Sequence, residues 1–211
     1  MWSNYGKTFV EYLYLKKFQN MSTHIEIKGE EILNKIQKNN KPVIFVSGHF
    51  ANFELMSMEI SKRNINLATI YRPLNNFFLN PFMEYLRKKY ICKNQIKKGL
   101  AGVKDSIHYL KNNFSIAMMI DQRVSEGKRL PFFEHLAFTT TLPAQMALKF
   151  NLDIVHIHAN NADFVYNKMP AMIEVTFSKN PKKIKDLPTI PHELNQTCEP
   201  TRRDIELLFN K

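Results

Sequence analysis

The hydrophobic positions of the chain alternate between short apolar runs and stretches with helical spacing. Val43–Val46 is an unbroken apolar run, and Asn66–Tyr71 and Ser115–Ile120 are further short runs of mainly apolar residues. Runs of this kind are typical of strands that are covered on both faces of a parallel sheet. The segments between them place apolar residues three or four positions apart, as one face of a helix does. The pattern therefore predicts an α/β fold with a mostly parallel central sheet flanked by helices.

The chain has 211 residues, 44% of them hydrophobic, which is enough for one sizeable core. No change of composition demands a second domain, so we expect a single domain over residues 1–211. Glu11, isolated in an apolar surround, is predicted to be a structural carboxylate with a polar partner. Met21–Gln37 is predicted to be a connector into an amphipathic helix. Further strands are predicted at Leu130–Phe133, Asp153–Ala159 and Met172–Phe177, and further helices at Thr8–Phe18, Asn76–Tyr90 and Pro143–Phe150.

The stretch Ser47–Glu54 joins the first apolar run to a helix. Ser47 and Gly48 interrupt the apolar pattern, and helical spacing begins at Ala51. His49 is therefore predicted to lie at the carboxyl end of a strand, beside the start of a helix. Active-site groups collect at this position in open α/β folds.

His49 and Glu54 are candidates for a catalytic pair. They are five positions apart, which on one continuous helix would separate their side chains by roughly 140°. They meet only if His49 lies outside the helix, and in that arrangement Glu54 is predicted to accept the imidazole N–H. The other ring nitrogen is then free to act as a general base. The spacing alone occurs often by chance, and the strand-turn-helix context is what favours catalysis.

Polar side chains also follow the next two predicted strands. Arg72 comes directly after the second strand, and Asp121, Gln122 and Arg123 come after the third. Because parallel strands end at the same edge of a sheet, we expect these residues to form one polar rim with His49. On the residues alone, a solvated arginine and a loop cap remain the alternatives.

The charge of the chain indicates anionic partners. It has 30 Lys and Arg against 19 Asp and Glu, a net charge of +11, which favours phospholipid headgroups, acidic carrier proteins or nucleic acid. A Lys-rich composition without any binding role is an equal alternative. No nucleic-acid module or continuous basic helix is present, so we predict no nucleic-acid partner. No apolar run is long enough to span a bilayer, but Asn76–Tyr90 suits either an interfacial helix or a core helix with a solvated tip.

Two further residue types are uninformative about chemistry. Cys92 and Cys198 are too few for a disulfide framework, which suits a reducing cytoplasm. His156 and His158 face the same side of a predicted strand, but no companion ligand lies at a telling distance. We therefore predict no metal site.

Four sequence blocks resemble one known family. Ser47–Glu54 is similar to the H-x4-[D/E] box of the lysophospholipid acyltransferase superfamily, and specifically to its lipid A late acyltransferases. Three more blocks of that branch follow in order. They are Ile70–Asn76, Ile120–Gln122, and Leu130–Phe133 followed by Ala137–Thr141.

This resemblance implies an O-acyltransferase that moves a fatty acyl group from acyl carrier protein to a hydroxyl of a lipid A precursor. His49, oriented by Glu54, would be the general base. The acyl thioester is a substrate, and no cofactor is implied. The family usually begins with a membrane helix and ends in a Trp- and Arg-rich block. We expect the chain to lack both and to be peripheral on an anionic membrane surface, at the cytoplasmic face of the bacterial inner membrane.

The same resemblance assigns roles to the polar rim. Arg72 would bind a phosphate or carboxylate of the substrate, and Asn76 would orient the loop that follows. Asp121 and Gln122 belong to the site, whereas Arg123 is less typical of the family.

Two alternatives remain open at this stage. One is a glycerolipid acyltransferase that uses a lysophospholipid, although the chain has no Phe-Pro-Glu-Gly-Thr box. The other is a non-catalytic, membrane-surface lipid-binding module. Glu134, which replaces a usual glycine of the family, favours the second alternative, and the intact His49 and Glu54 weigh against it.

Overall fold

A computed structural model of the protein describes residues 2–21, 25–122, 124, 127–132, 135–160 and 171–178. The strands are β1 (Ile25–Lys28), β2 (Ile44–Ser47), β3 (Leu67–Tyr71), β4 (Asn94–Lys97), β5 (Ser115–Met119), β6 (Lys128–Phe132), β7 (His135–Thr139), β8 (Ile154–Asn160) and β9 (Ala171–Ser178). The helices are α1 (Trp2–Glu11), α2 (Leu15–Asn20), α3 (Glu30–Asn39), α4 (Glu54–Lys62), α5 (Leu79–Leu86), α6 (Leu100–Lys111) and α7 (Leu142–Phe150). A 3-10 turn (Tyr12–Tyr14) joins α1 to α2, and a π-helical turn (Arg87–Ile91) continues α5. Within these residues no helix has the length and apolar character needed to cross a membrane.

The main sheet has seven strands in the order β1-β9-β8-β2-β5-β3-β4, and β6 and β7 form a separate antiparallel hairpin. The strands from β8 to β4 are parallel to one another, while β9 runs antiparallel to β8 and parallel to β1. The predicted α/β fold with a mostly parallel central sheet is therefore confirmed. Because β2, β5 and β3 are neighbours, the loops that leave their carboxyl ends lie side by side.

Helices cover both faces of this sheet. Alternate residues of β2 point to opposite sides: Phe45 belongs to one buried apolar cluster, and Ile44 and Val46 belong to another. The cluster around Phe45 includes buried side chains from the 3-10 turn, α2, α3, α4, α5 and the π-helical turn. The second cluster includes side chains from α6 and α7. Burial of one such aliphatic or aromatic side chain contributes about 2 kcal/mol. This two-sided burial explains why the predicted core strands are apolar throughout.

Two edge strands differ from the sequence-based expectation. Ile25–Lys28 is predicted to be part of a connector, which is wrong, because it forms β1. Its two isoleucines alternate with charged residues, a period of two that suits a strand with one buried face. Asn94–Lys97 forms the other edge strand, β4, and only Ile96 of its residues is buried. A single apolar position carries no detectable period, so this strand is missing from the prediction.

The contact between α6 and β4 gives a testable prediction. Gly102 is buried in α6, and a Cβ atom built on it would lie 2.0 Å from the backbone oxygen of Lys97. Gly102→Ala therefore forces the helix away from the strand, and we expect the free energy of unfolding to fall by about 1–3 kcal/mol in urea denaturation. Gly6 in α1 is the matched control, because a Cβ there meets nothing within 4 Å. Gly6→Ala should raise stability by about 0.5–1 kcal/mol, and a Gly102→Ala protein as stable as wild type would contradict the close contact.

Candidate active site

His49 lies in the loop between β2 and α4, as the sequence predicts. β2 ends at Ser47 and α4 begins at Glu54. The imidazole packs edge-on against the ring of Phe53, with 4.7 Å between ring centroids. The His49 side chain is 19% exposed, so part of it reaches solvent while the rest is covered by neighbouring residues.

Ala51 gives this loop an unusual backbone. Its φ of 45° lies in the left-handed region, where a Cβ atom is disfavoured. The other non-glycine residues with positive φ in the described part of the chain are all asparagines, which tolerate this conformation. They are Asn40, Asn64, Asn113 and Asn151. Backbone strain at a single alanine beside the candidate histidine is the kind of feature found at functional sites.

Asp121, which follows β5, holds His49 by two hydrogen bonds. Its Oδ1 lies 2.8 Å from the imidazole Nδ1, and its Oδ2 accepts the backbone N–H of His49 at 2.8 Å. The pairing of β2 with β5 brings the two residues together, since Ser47 lies opposite Met119 and its carbonyl accepts the N–H of Ile120. One carboxylate therefore fixes both the ring and the backbone of the loop.

The ionisation of Asp121 determines which nitrogen of His49 is free. Burial acts to raise the pKa of this carboxyl, but the hydrogen bonds from His49 and the charge of its ring act more strongly and lower the pKa below its ordinary value. The carboxylate is thus ionised at neutral pH and can only accept. In the neutral imidazole Nδ1 must carry the proton, which leaves Nε2 as the basic nitrogen. The side-chain amide nitrogen of Gln122 lies 3.4 Å from this Nε2.

The lowered pKa of Asp121 also sets the sign of its effect on stability. A carboxyl with a lower pKa in the folded protein stabilises the fold above its unfolded pKa of about 3.9. That contribution to stability is lost as the pH falls through the pKa of Asp121 in the folded protein. The Asp121 carboxylate therefore stays ionised across the neutral range.

The side chain of Glu54 contacts Tyr12 and Arg87 and makes no hydrogen bond with His49. Its Oε1 accepts hydrogen bonds from the hydroxyl of Tyr12 and from Nε and Nη2 of Arg87, the last two at 2.8 and 2.6 Å. Its backbone N–H donates to the side-chain oxygen of Asn52 at 3.2 Å. The predicted hydrogen bond between His49 and Glu54 is not confirmed. Glu54 is the first residue of α4, and its side chain is directed at the 3-10 turn and the π-helical turn, while Asp121 occupies the Nδ1 side of the ring.

Tyr12 and Arg87 surround the carboxylate of Glu54, a buried residue that is 7% exposed as a whole. Burial, and next the charge of Glu54, raise the pKa of Tyr12, so its hydroxyl stays protonated. Burial acts to lower the pKa of Arg87, but the charge of Glu54 and the hydrogen bonds to Glu54 and Tyr12 together outweigh it, so the net pKa is raised. Neither residue stands out in the sequence. Arg87 opens a basic run typical of a solvated helix end, and Tyr12 is one of several aromatic residues in its helical segment.

Asn52 links the loop to the amino-terminal helix. Its side-chain amide donates to Glu11 at 2.5 Å, while its oxygen accepts the N–H of Glu54. The prediction that Glu11 is a structural carboxylate with a polar partner is consistent with this contact. The loop is thus tied to α1 on one side and to Asp121 on the other.

The other residues predicted for the site differ from one another in their hydrogen bonding. Arg72 follows β3, its side chain is exposed, and it makes no hydrogen bond or ion pair with another described residue. Gln122 is exposed beside His49. Asn76 caps the start of α5, because its side-chain oxygen accepts the N–H groups of Phe78 and Leu79 at 3.0 Å. Arg123 and Glu134 lie outside the described residues, and the described part of the chain contains no group of three or more His, Cys, Asp or Glu placed to hold a metal ion.

Comparison with known proteins identifies the family. The family model for bacterial lipid A biosynthesis acyltransferases matches residues 1–201. A comparison with curated proteins gives no match. The matched range covers nearly all of the 211 residues and contains every block on which the resemblance depends. The chain belongs to the bacterial lipid A biosynthesis acyltransferase family.

Proposed function

We propose that this acyltransferase moves a fatty acyl group from acyl carrier protein to a hydroxyl of a lipid A precursor, with His49 as the general base. The observation that carries the proposal is the hydrogen bond between the Asp121 carboxylate and Nδ1 of His49. It leaves Nε2 unprotonated at a partly exposed position next to Gln122. A base held in one tautomer at the end of a parallel strand is suited to activate an acceptor hydroxyl.

The reaction follows from this arrangement. Nε2 of His49 takes the proton of the acceptor hydroxyl as its oxygen attacks the thioester carbonyl. The tetrahedral intermediate expels the thiolate of the carrier's phosphopantetheine arm, and the imidazolium returns the proton to that sulfur. Asp121 stabilises the transient imidazolium, as carboxylates paired with catalytic histidines do. The acyl group passes directly from sulfur to oxygen, without an acyl-enzyme.

Arg72 and Gln122 are the proposed substrate-binding residues. Arg72 leaves the same edge of the sheet as His49 and has an exposed guanidinium with no partner among the described residues. Its planar fork suits a phosphate of the acceptor or of the phosphopantetheine arm. Gln122 offers an amide beside Nε2 that can orient the attacking hydroxyl. The net charge of +11 suits both an acidic carrier and an anionic membrane surface.

Glu54 is proposed to act as a positioning residue. Its carboxylate joins the start of α4 to Tyr12 and Arg87, and its backbone joins α4 to Asn52 in the His49 loop. These contacts fix the distance between the loop and the helices that cover it. We therefore expect Glu54 to influence turnover through the loop and to influence stability directly.

The donor and acceptor indicate where the protein works. Acyl carrier protein is a soluble donor, and the lipid A precursor is an amphipathic lipid. We propose that the protein acts as a peripheral enzyme at the cytoplasmic face of the inner membrane, where the two meet.

The first experiment measures transfer of labelled acyl groups from acyl carrier protein to a lipid A precursor, with a lysophospholipid acceptor in parallel. His49→Ala should lower transfer to the lipid A precursor by about 10²- to 10⁴-fold, because the base is removed. His108→Ala is the matched control, since His108 is exposed on α6 and its side chain contacts Asn112. Near-full activity of His49→Ala would contradict the mechanism, and transfer only to the lysophospholipid would contradict the acceptor.

A second experiment separates Asp121 from Glu54. Asp121→Asn should lower kcat by about 10²-fold or more with little change in KM, because the amide can present its N–H to Nδ1 and favour the wrong tautomer. Asp121→Glu should restore part of the rate. Glu54→Gln should lower the free energy of unfolding by about 3–5 kcal/mol, because it leaves the buried charge of Arg87 without its counter-ion. An unchanged stability together with a loss of kcat as large as that of Asp121→Asn would make Glu54 the direct partner of His49.

A further inference from the structure

Helix α5 has two apolar faces, and the protein covers only one of them. Met83 is buried, and its neighbours Leu79 and Leu86 pack against the same core cluster. Phe78, Phe82 and Tyr85 are four and three positions apart, so they share one face about 100° around the helix from the first. The sequence leaves open whether this segment is a core helix or an interfacial helix, and the structure shows one buried apolar face and one exposed apolar face.

The second face consists of large, exposed aromatic side chains. Phe77 and Phe78 are 83% and 90% exposed, and their rings are in edge contact with 6.0 Å between centroids. Phe82 and Tyr85 are each more than half exposed. We call Phe77, Phe78, Phe82 and Tyr85 the aromatic face. Contiguous exposed side chains of this size mark a surface that meets a partner or a membrane.

Basic side chains border the aromatic face. Lys89 lies at its end, with its ammonium 2.7 Å from the hydroxyl of Tyr85 and 5.1 Å from the centre of that ring. The nearby acid, Glu84, is engaged by Asn80 at 2.8 Å and lies 3.7 Å from Lys97. Every charged residue between positions 85 and 98 is basic, namely Arg87, Lys88, Lys89, Lys93, Lys97 and Lys98. Arg87 points inward to Glu54, and the lysines of this group are exposed.

Exposed apolar side chains are unevenly distributed between the two helical layers. The layer that contains α5 also exposes Phe9, Val10, Leu13 and Tyr14 of the amino-terminal helical segment, and Phe50 beside His49. On the opposite layer Leu100 of α6 and Leu148 of α7 are exposed singly. Scattered single leucines are normal on a soluble surface, so the feature that needs a partner is on the α5 side.

We propose that the aromatic face docks on an anionic phospholipid bilayer, an inference that rests on the proposed function because the acceptor there is a lipid. Aromatic rings bordered by lysines suit the boundary between acyl chains and headgroups, where the rings are buried and the ammonium groups reach phosphates. Lys89 in contact with Tyr85, and the exposed lysines that follow it in sequence, make an anionic bilayer the complementary partner. A second copy of the chain would bring its own lysines against these, which is unfavourable.

Docking through α5 also brings the bilayer to the reactive edge of the sheet. The loop that precedes α5 begins at Arg72, directly after β3. At the other end of the helix, Arg87 contacts Glu54 at the start of α4. α5 is thus joined to Arg72 through the preceding loop, and to the helix that follows the His49 loop through Arg87.

The test is flotation with vesicles in the absence of any substrate. Wild type should float with vesicles of phosphatidylethanolamine and phosphatidylglycerol, and weakly with phosphatidylcholine vesicles. Phe77→Ser/Phe78→Ser/Phe82→Ser should lower binding to the anionic vesicles by about tenfold or more, because these rings supply the buried apolar area. Leu100→Ser/Leu148→Ser is the matched control, with leucines 81% and 85% exposed on the opposite layer, and should bind as wild type does.

The outcomes separate this inference from the proposed reaction. His49→Ala should float as wild type does, and the triple serine variant should keep acyl transfer to a precursor presented in detergent micelles. Phe77→Ser/Phe78→Ser alone, at two highly exposed positions outside α5, should weaken flotation without any effect on folding measured by circular dichroism. Absence of wild-type binding, equal binding by the serine variants, or a shift of these variants from dimer to monomer in size-exclusion chromatography would overturn the proposal.

Discussion

Two hydrogen bonds between His49 and the carboxylate of Asp121 connect the functional loop to the central sheet. They depend on the pairing of β2 with β5, which places the ends of two strands 72 residues apart in sequence next to each other. The same carboxylate fixes the backbone of the loop and the tautomer of the ring. If this contact is lost, the Asn52 and Glu54 contacts remain on the other side of the loop. The chemistry of the site therefore depends on the register of the sheet.

The buried group around Glu54 gives the loop its second attachment. Desolvation of a carboxylate is costly unless a charge and hydrogen bonds compensate it, and here Arg87 and Tyr12 supply both. These residues come from the helical layer that carries the aromatic face. The His49 loop is consequently held between the sheet, through Asp121, and that layer, through Glu54. This arrangement links the helices that carry the aromatic face to the loop that carries His49.

The sequence is sufficient to predict the α/β fold class and the loop position of His49, because both follow from local patterns. The apolar run before His49 and the polar residues after each strand are local signals that need no tertiary information. The partner of His49 is different, since Asp121 and Glu54 are both acids at suitable positions, and only the register between β2 and β5 decides between them. The link from Glu54 to Arg87 joins residues 33 positions apart through side-chain packing, for which the sequence has no signal.

The pairing of His49 with Asp121 is tested most directly by the tautomer of His49, observed by ¹⁵N nuclear magnetic resonance of the labelled imidazole at neutral pH. We expect a proton on Nδ1 and an unprotonated Nε2. Asp121→Asn should abolish this tautomer preference, whereas His108→Ala should leave the His49 signals unchanged. A proton on Nε2 in the wild-type protein, or a preference that disappears in Glu54→Gln and persists in Asp121→Asn, would contradict the role of Asp121.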